Sequence, residues 1–229
     1  MIRFPAGALV QAGEDQQIQT KFLHRIREVP AVFTTDERSA MIALQKSVFF
    51  GVHGKGELTM EFKTVVQNRF SCKKYSSRQV ESEKLTAILE AGRLAPTAKN
   101  LQEQHIYVVQ NPEILAKIDT VTPCRYGAPT VLVVAYDRNT VFTYPGGKKD
   151  SGAEDATIVA THMLLAAADE GVDSCWLNCF DPEMIEKDLN IPENEEIVML
   201  LDLGYAAEGA GPLPNHENRK PLSETVTYM

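Results

Sequence analysis

Residues 91–109 have the sequence AGRLAPTAKNLQEQHIYVV, which joins the end of a helix to the start of a strand. The helix is predicted over 81–94, where apolar residues recur at helical spacing. Pro96 follows its last turn, and the apolar, partly β-branched run at 105–110 is typical of a strand. This succession of helix, turn and strand indicates a chain that mixes both kinds of element.

The rest of the chain continues the mixed pattern. Two continuous apolar runs, at 129–137 and 196–206, predict strands that are buried on both faces. Residues 153–169 predict a helix that is apolar almost all round, which is typical of a central helix or a subunit interface. Shorter helices are predicted at 60–68, 112–118 and 181–189. We therefore expect an α+β or three-layer α/β arrangement.

Composition narrows the possible partners. The 229-residue chain is acidic, with a formal net charge of −8. Nucleic acids and anionic membranes attract broad positive surfaces, so the sequence predicts neither as the main partner. No uncharged apolar stretch is long enough to span a membrane, and no secretory signal is visible. The four cysteines lack the spacing of a zinc site, which favours reduced thiols, a cytoplasmic protein and no metal.

One short segment contrasts with the acidic background. Residues 68–80 have the sequence NRFSCKKYSSRQV, in which three cations, Arg69, Lys73 and Lys74, lie within six residues. A solvated turn would carry such charges, and so would a site for a single anion such as a phosphate group. The segment by itself leaves both interpretations open.

Several segments together resemble the nitroreductase family of flavin mononucleotide (FMN) enzymes. The cationic turn at 68–80 is similar to the family's Arg-x-Ser-x-Arg-x-aromatic motif. Residues 95–104 resemble its Ala-Pro-Ser-x-x-Asn-x-Gln-Pro-Trp segment, and 218–226 resemble its late basic residues. The stretch at 171–189 is similar to the family's Gly-x-Gly-Ser-x-Trp segment and the helix that follows it. The resemblance extends from about Met60 to the C-terminus.

This resemblance implies both a fold and an assembly. The implied fold is α+β, with three layers (α/β/α) and a central, mainly antiparallel sheet. The implied assembly is an intertwined homodimer with the long helix at 153–169 buried in its interface. Two flavin sites are then expected between the chains.

The resemblance also assigns cofactor contacts. The residues that match the motifs, and are expected to bind FMN, are Arg69, Ser71, Lys73, Pro96, Thr97, Ala98, Asn100, Gln102, Cys175, Trp176, Leu177, Arg219 and Lys220. Lys73 replaces the more usual arginine and loses its two-pronged hydrogen bonding. Glu103 and Gln104 stand where Pro-Trp usually follows. That departure affects the shape of the local loop and hence substrate access.

The implied activity is that of an oxidoreductase that takes a hydride from NADH or NADPH. It would reduce nitroaromatics, quinones or related small acceptors by alternating half-reactions. Because the hydride chemistry belongs to FMN, the resemblance implies no catalytic side chain. Two alternatives stay open. One is a specialised enzyme of the same fold that fragments flavin, dehalogenates or oxidises rings, and the other is a non-catalytic protein that stores FMN.

Residues 1–59 lie outside the family-like domain at 60–229. They show no clear strand and at most one helix, around 37–48. The sequence leaves two interpretations open, a native N-terminal arm or a leader translated from a gene that starts at Met60. The three residues Lys-Gly-Glu at 55–57 can be encoded AAAGGAGAA, which contains a bacterial ribosome-binding sequence.

The leader interpretation makes a direct prediction. A chain that starts at Met60 should keep the melting temperature, the dimeric state and the FMN content of the full chain, because nothing native has been removed. Calorimetry, sedimentation and flavin absorbance of the two chains measure these properties. Loss of FMN or of the dimer in the shorter chain would show instead that the segment belongs to the protein.

Overall fold

Strands dominate the centre of the part of the chain that the structure describes. The computed structural model describes residues 50–53 and 57–229, and Gly51–Met229 form a compact unit. In chain order the strands are β1 (Phe50–His53), β2 (Glu57–Met60), β3 (Gln104–Val109), β4 (Thr130–Asp137), β5 (Asp173–Leu177) and β6 (Glu195–Gly204). The last four form one sheet in the order β3-β4-β6-β5, and every neighbouring pair is antiparallel.

The other two strands correct a prediction. Strands β1 and β2 form a separate two-stranded sheet, whereas the sequence predicted no clear strand in the first 59 residues, and that prediction was wrong. Each strand has only four residues, which is too short for an alternation of apolar and polar residues to be recognised. The helix predicted around 37–48 lies outside the described residues.

Helices cover the sheet. They are α1 (Phe62–Asn68), α2 (Ser82–Arg93), α3 (Pro112–Val121), α4 (Gly152–Asp169), α5 (Pro182–Leu189) and α6 (Leu222–Thr225). Two short 3-10 turns occupy Ala98–Asn100 and Pro123–Arg125. Asp181 caps the start of α5, because its side chain accepts a hydrogen bond from the Glu183 N–H at 3.1 Å. Within the described ranges, none of the helices combines the length and apolarity needed to cross a bilayer.

The helices lie on both faces of the sheet. On one face Leu132 and Val134 of β4 pack in a cluster with Val159 and Met163 of α4. On the other face the intervening residues of β4 pack in a second cluster with α3 and α5. Because both faces are covered, β4 is a continuous apolar run although the sheet is antiparallel. The predicted three-layer α/β/α fold with an antiparallel sheet is confirmed.

Helix α4 lies at the centre of the first layer. It packs closely on α2, where a Cβ atom added at Gly92 would lie 2.7 Å from Met163 Cγ. Thr157 and Thr161, on the opposite side of α4, are exposed in the single chain. Helix α4 is therefore central, as predicted, but the side that carries Thr157 and Thr161 is exposed in the single chain.

Candidate functional site

The cationic turn lies along the outer edge of the sheet, next to β5. The Cys72 N–H donates a hydrogen bond to the Ser174 carbonyl oxygen at 2.9 Å, and Ser71 forms a parallel bridge with the same residue. Cys72 and Tyr75 are buried and anchor the segment, whereas Lys73 between them is exposed. The fold thus fixes the backbone of the turn and leaves the Lys73 side chain open to a ligand.

Two of the cations in this turn have no acidic partner in the part of the chain that the structure describes. Within residues 61–229, neither Arg69 nor Lys73 makes a side-chain hydrogen bond or an ion pair; Lys73 Nζ lies 5.6 Å from the centre of the Tyr126 ring. Lys74 differs, because its Nζ donates to the Glu208 carbonyl oxygen at 3.1 Å. Arg69 and Lys73 are therefore the charges available to an anion, and both belong to the predicted set.

The charge of Lys73 acts on two thiols that the sequence did not link, Cys124 and Cys175. Cys175 is buried in β5, and burial raises the pKa of its thiol to about 11. Cys124 lies in the turn before β4, and its pKa is lowered by a hydrogen bond from the Tyr126 hydroxyl, with contributions from the Cys179 thiol and the Lys73 charge. Nothing in the spacing of these residues connects 124 with 175–179, so only the fold could show this arrangement.

Cys179 lies beyond the end of the sheet, and its side chain is exposed. The reason is that β5 ends at Leu177 and the chain then leaves the sheet toward α5.

The turn that carries Cys124 is held by an arginine. Arg125 Nε donates to Asp119 Oδ1 at 2.6 Å, and Arg125 Nη1 donates to the Ala128 carbonyl oxygen at 2.6 Å. These bonds tie the turn to the end of α3 and to the chain entering β4. The Cys124 thiol consequently projects from a fixed backbone.

A buried carboxyl group lies in β6, opposite Cys175 of β5. Asp202 is 0% exposed, and neither of its oxygens has a hydrogen-bond partner among the described residues. Burial raises the pKa of Asp202 to about 9, against an opposing effect of Arg125. Asp202 therefore carries a proton at neutral pH.

The second predicted cluster lies in the loop between α2 and β3. The Ala98 N–H donates to Asp155 Oδ2 of α4 at 3.0 Å, and the Gln102 N–H donates to Thr97 Oγ1 at 3.1 Å. Three non-glycine residues of this loop, Lys99, Asn100 and Gln102, have φ between 52° and 56°. Such left-handed backbone is costly for these residue types and persists only where surrounding contacts impose it.

Glu103 explains the departure from the family's Pro-Trp pattern. Its side chain is buried, at 5% exposure, and accepts a hydrogen bond from Ser151 Oγ at 2.9 Å. Burial, followed by the neighbouring Asp155 carboxylate, raises the pKa of Glu103. The Glu103 side chain thus anchors the end of the loop to Ser151, just before α4. Gln104, the next residue, is the first residue of β3.

A single chain does not bring these two clusters together. The loop that precedes β3 and the turn beside β5 lie at opposite edges of the four-stranded sheet. Three inter-strand spacings amount to about 14 Å. Pro96, Thr97, Ala98, Asn100 and Gln102 are therefore separated from Arg69, Ser71 and Lys73 within one chain.

The remaining residues that were predicted to bind FMN lie in two separate parts of the chain. Cys175, Trp176 and Leu177 lie in β5, next to the cationic turn; Leu177 is buried and Trp176 is half-buried. Arg219 and Lys220 are exposed in the C-terminal tail, where Arg219 Nη1 donates to the Asn218 carbonyl oxygen at 2.8 Å. Across residues 61–229, no hydrogen bond or ion pair links these two tail residues to the cationic turn.

Comparison with known proteins agrees with this architecture. The nitroreductase family model matches residues 66–122 and 123–205. A relative from Methanothermobacter thermautotrophicus, named for NADH dehydrogenase and NAD(P)H nitroreductase, is 31% identical over 170 residues, covering 70% of this chain and 85% of its own.

Two solved structures are similar along almost their whole length. A nitroreductase family protein from Clostridium difficile 630 is 36% identical, with a TM-score of 0.70, and the match covers 74% of this chain and 98% of that one. A nitroreductase with bound FMN from Bacteroides fragilis is 28% identical, with a TM-score of 0.59 and coverage of 75% and 100%. Together with the antiparallel three-layer fold and the cationic turn along β5, these matches show that the chain belongs to the nitroreductase family.

Proposed function

We propose that this protein is an NAD(P)H-dependent oxidoreductase that binds FMN and reduces nitroaromatics, quinones or related small acceptors. The observation that carries the proposal is the pair of cations, Arg69 and Lys73, that lacks acidic partners among the described residues of a chain with net charge −8. Their place in the family's first motif supports FMN as the ligand. Relatives named for NAD(P)H support a nicotinamide as the electron donor.

The residues of the cationic turn suit a flavin mononucleotide. Its phosphate carries roughly −1.5 to −2 charges at neutral pH, which Arg69, Lys73 and the Ser71 hydroxyl would satisfy. When bound, FMN would supply the hydride chemistry, so the chain itself is required to bind and orient the reactants.

We further propose that each site forms between two chains. The loop at 95–103 and the turn at 69–75 lie at opposite edges of one sheet, and a two-fold dimer can place the loop of one chain on the turn of its partner. Apolar side chains on α1 are uncovered, with Phe62 72% and Val66 48% exposed. Exposed apolar surface of this kind, together with the open stripe of α4, is typical of a subunit interface.

The dimer proposal predicts complementation between defective chains. Arg69→Ala and Asn100→Ala homodimers should each bind FMN weakly, because every site lacks one polar contact. A purified heterodimer of the two variants should regain one site of normal affinity, which combines the intact turn of one chain with the intact loop of the other. Titration with FMN, followed by fluorescence, measures the number of restored sites.

The matched control uses two changes in the same cluster. A heterodimer of Arg69→Ala and Lys73→Ala should regain no normal site, since both turns remain defective. Failure of the first heterodimer to recover would mean that the turn and the loop act from the same chain. A monomer by sedimentation that retained full FMN occupancy would contradict the proposal as well.

An anaerobic titration tests the reaction. The yellow protein should bleach on addition of NADH or NADPH without oxygen, and it should regain its colour when a nitroaromatic or a quinone is added. A flavin that stays oxidised with both nicotinamides would favour a storage protein. Destruction of the flavin during reoxidation would identify a flavin-fragmenting enzyme, and a panel that includes a halogenated phenol tests dehalogenation.

We also propose the cytoplasm as the site of action. The four cysteines are free thiols, which supports a reducing compartment. Fractionation of the native cells, followed by detection of the protein, tests this assignment.

A further inference from the structure

The loop at 98–103 is tied at both ends to the start of α4. At its first residue the Ala98 N–H donates to Asp155 Oδ2 at 3.0 Å, and at its last residue Glu103 Oε1 accepts from Ser151 Oγ at 2.9 Å. The Asp155 N–H also donates to the Ser151 carbonyl oxygen at 2.7 Å, so these two residues lie one helical turn apart on the same face. A single turn of helix therefore holds both ends of the loop, and we call Glu103, Ser151 and Asp155 the clamp.

Ser151 does not cap its own helix. It occupies the N-cap position of α4, where a serine oxygen normally accepts a hydrogen bond from the second or third N–H of the helix. Its side chain makes no such bond; the hydroxyl accepts instead from the Phe142 N–H at 3.2 Å and donates to Glu103. Ser151 is 1% exposed. Its hydroxyl is thus used to hold the loop.

The backbone between the two ends needs this support. Five non-glycine residues in the described ranges have positive φ, and three of them, Lys99, Asn100 and Gln102, lie in this loop. Such backbone persists only where surrounding contacts impose it. Asn100 and Gln102 are also predicted FMN contacts. The strained part of the loop is therefore the part that would meet the cofactor.

Glu103 suits the clamp best as a neutral acid. Its Oε2 is buried and has no hydrogen-bond partner among the described residues, and a negative charge there would lack compensation. Burial, followed by the neighbouring Asp155 carboxylate, raises the pKa of Glu103. Glutamine, which is neutral and has the same shape, should therefore be able to replace it.

We propose that Glu103 and Asp155 are positioning residues for the flavin, which hold the loop in the conformation that presents Asn100 and Gln102 to FMN. The inference rests on the proposed FMN function, and it adds two residues outside the set that was predicted to bind the cofactor. Both residues are buried, at 5% and 4% exposure, so they act through the loop and do not touch the ligand.

The clamp acts before the cofactor arrives. A loop that is already held in its binding conformation loses less conformational freedom when the ligand binds. Release of either end should therefore lower the affinity for FMN, although every residue that contacts the cofactor is still present.

Variants of the full chain test this effect by fluorescence titration with FMN. We expect Glu103→Ala and Asp155→Ala to raise the dissociation constant by about five- to tenfold, the scale of one lost hydrogen bond. Glu103→Gln and Asp155→Asn should stay within about twofold of the unaltered chain, because the amide oxygen still accepts the same hydrogen bond. Rescue by these conservative variants separates positioning from a loss of charge.

Glu154→Ala is the matched control. It removes a carboxylate from the same turn of α4, but this side chain is exposed and accepts a hydrogen bond from the Tyr144 hydroxyl, outside the clamp. Its dissociation constant should also stay within about twofold. Circular dichroism and the melting temperature check that every variant folds.

Limited digestion with trypsin reports on the loop directly and needs no flavin. The bond after Lys99 lies in the strained part of the loop, and Lys99 is exposed. Without added FMN, this bond should be cut several times faster in the two alanine variants, because a loop that is free at one end opens more often. The amide variants and Glu154→Ala should be cut at the original rate. Cleavage after Arg219, in the tail, serves as the internal reference.

The outcomes separate this inference from the proposed function. If the unaltered chain fails to bind FMN, both are wrong. If it binds FMN and the two alanine variants bind equally tightly, this inference alone is wrong. Faster cleavage after Lys99 without a loss of affinity would overturn it as well. So would a loss in Glu154→Ala or in the amide variants as large as that in the alanine variants, because charge would then matter and not the position of the loop.

Discussion

Replacing Arg69 with alanine should weaken FMN binding by about 10- to 150-fold in dissociation constant, and Lys73→Ala should have an effect of the same size. This range corresponds to roughly 1.5–3 kcal/mol, the scale of a hydrogen bond to a charged group. The reason is that neither side chain makes an ion pair or a hydrogen bond within the described chain, so both charges are available to the cofactor. Fluorescence titration with FMN at fixed ionic strength measures the change.

Lys74 provides the matched control. It is the immediate neighbour of Lys73 and carries the same charge, but its Nζ already donates to the Glu208 carbonyl oxygen. Lys74→Ala should change the dissociation constant by no more than about twofold, as surface substitutions usually do. Equal losses in all three variants would indicate a general effect of net charge, and unchanged binding in Arg69→Ala and Lys73→Ala would reject the assignment.

Most of the fold could be predicted from local patterns. The run at 129–137 is apolar at consecutive positions because helices cover both sides of β4, and this pattern is visible without knowledge of its neighbours. Helix α5 shows its start through Asp181 and Pro182. By contrast, β1 and β2 have four residues each. They are strands because they pair with each other, and the local sequence pattern does not indicate that pairing.

The site was only partly predictable, for a different reason. Arg69 and Lys73 lie close in sequence, so the role proposed for both follows from one segment. Cys175 and Asp202 lie opposite each other only because β5 pairs with β6, and no spacing in the sequence encodes that contact. Glu103 looked like a departure from a motif, but its burial against Ser151 shows that it anchors the loop.

Asp202 gives the second large prediction, which concerns stability and pH. In the folded chain burial raises its pKa to about 9, whereas an unfolded aspartate has a pKa of about 3.9. Between these values the folded state binds a proton that the unfolded state has lost, so the free energy of unfolding falls as pH rises. The loss amounts to about 1.4 kcal/mol per pH unit, or roughly 2.7 kcal/mol between pH 6 and pH 8.

The Asp202→Asn variant should lack this part of the pH dependence, because an amide of the same shape does not titrate. Its free energy of unfolding, measured in urea at pH 6, 7 and 8, should fall less steeply than that of the unaltered protein and exceed it at pH 8. Protein concentration is held constant, because self-association would make the measured stability depend on it.

Asp181→Asn is the matched control: this residue is exposed, and asparagine caps a helix about as well as aspartate. The control should keep the original slope, because it retains Asp202, and Glu103 is the same in all three proteins. Equal slopes in Asp202→Asn and the unaltered protein would mean that Asp202 is ionised in the folded state.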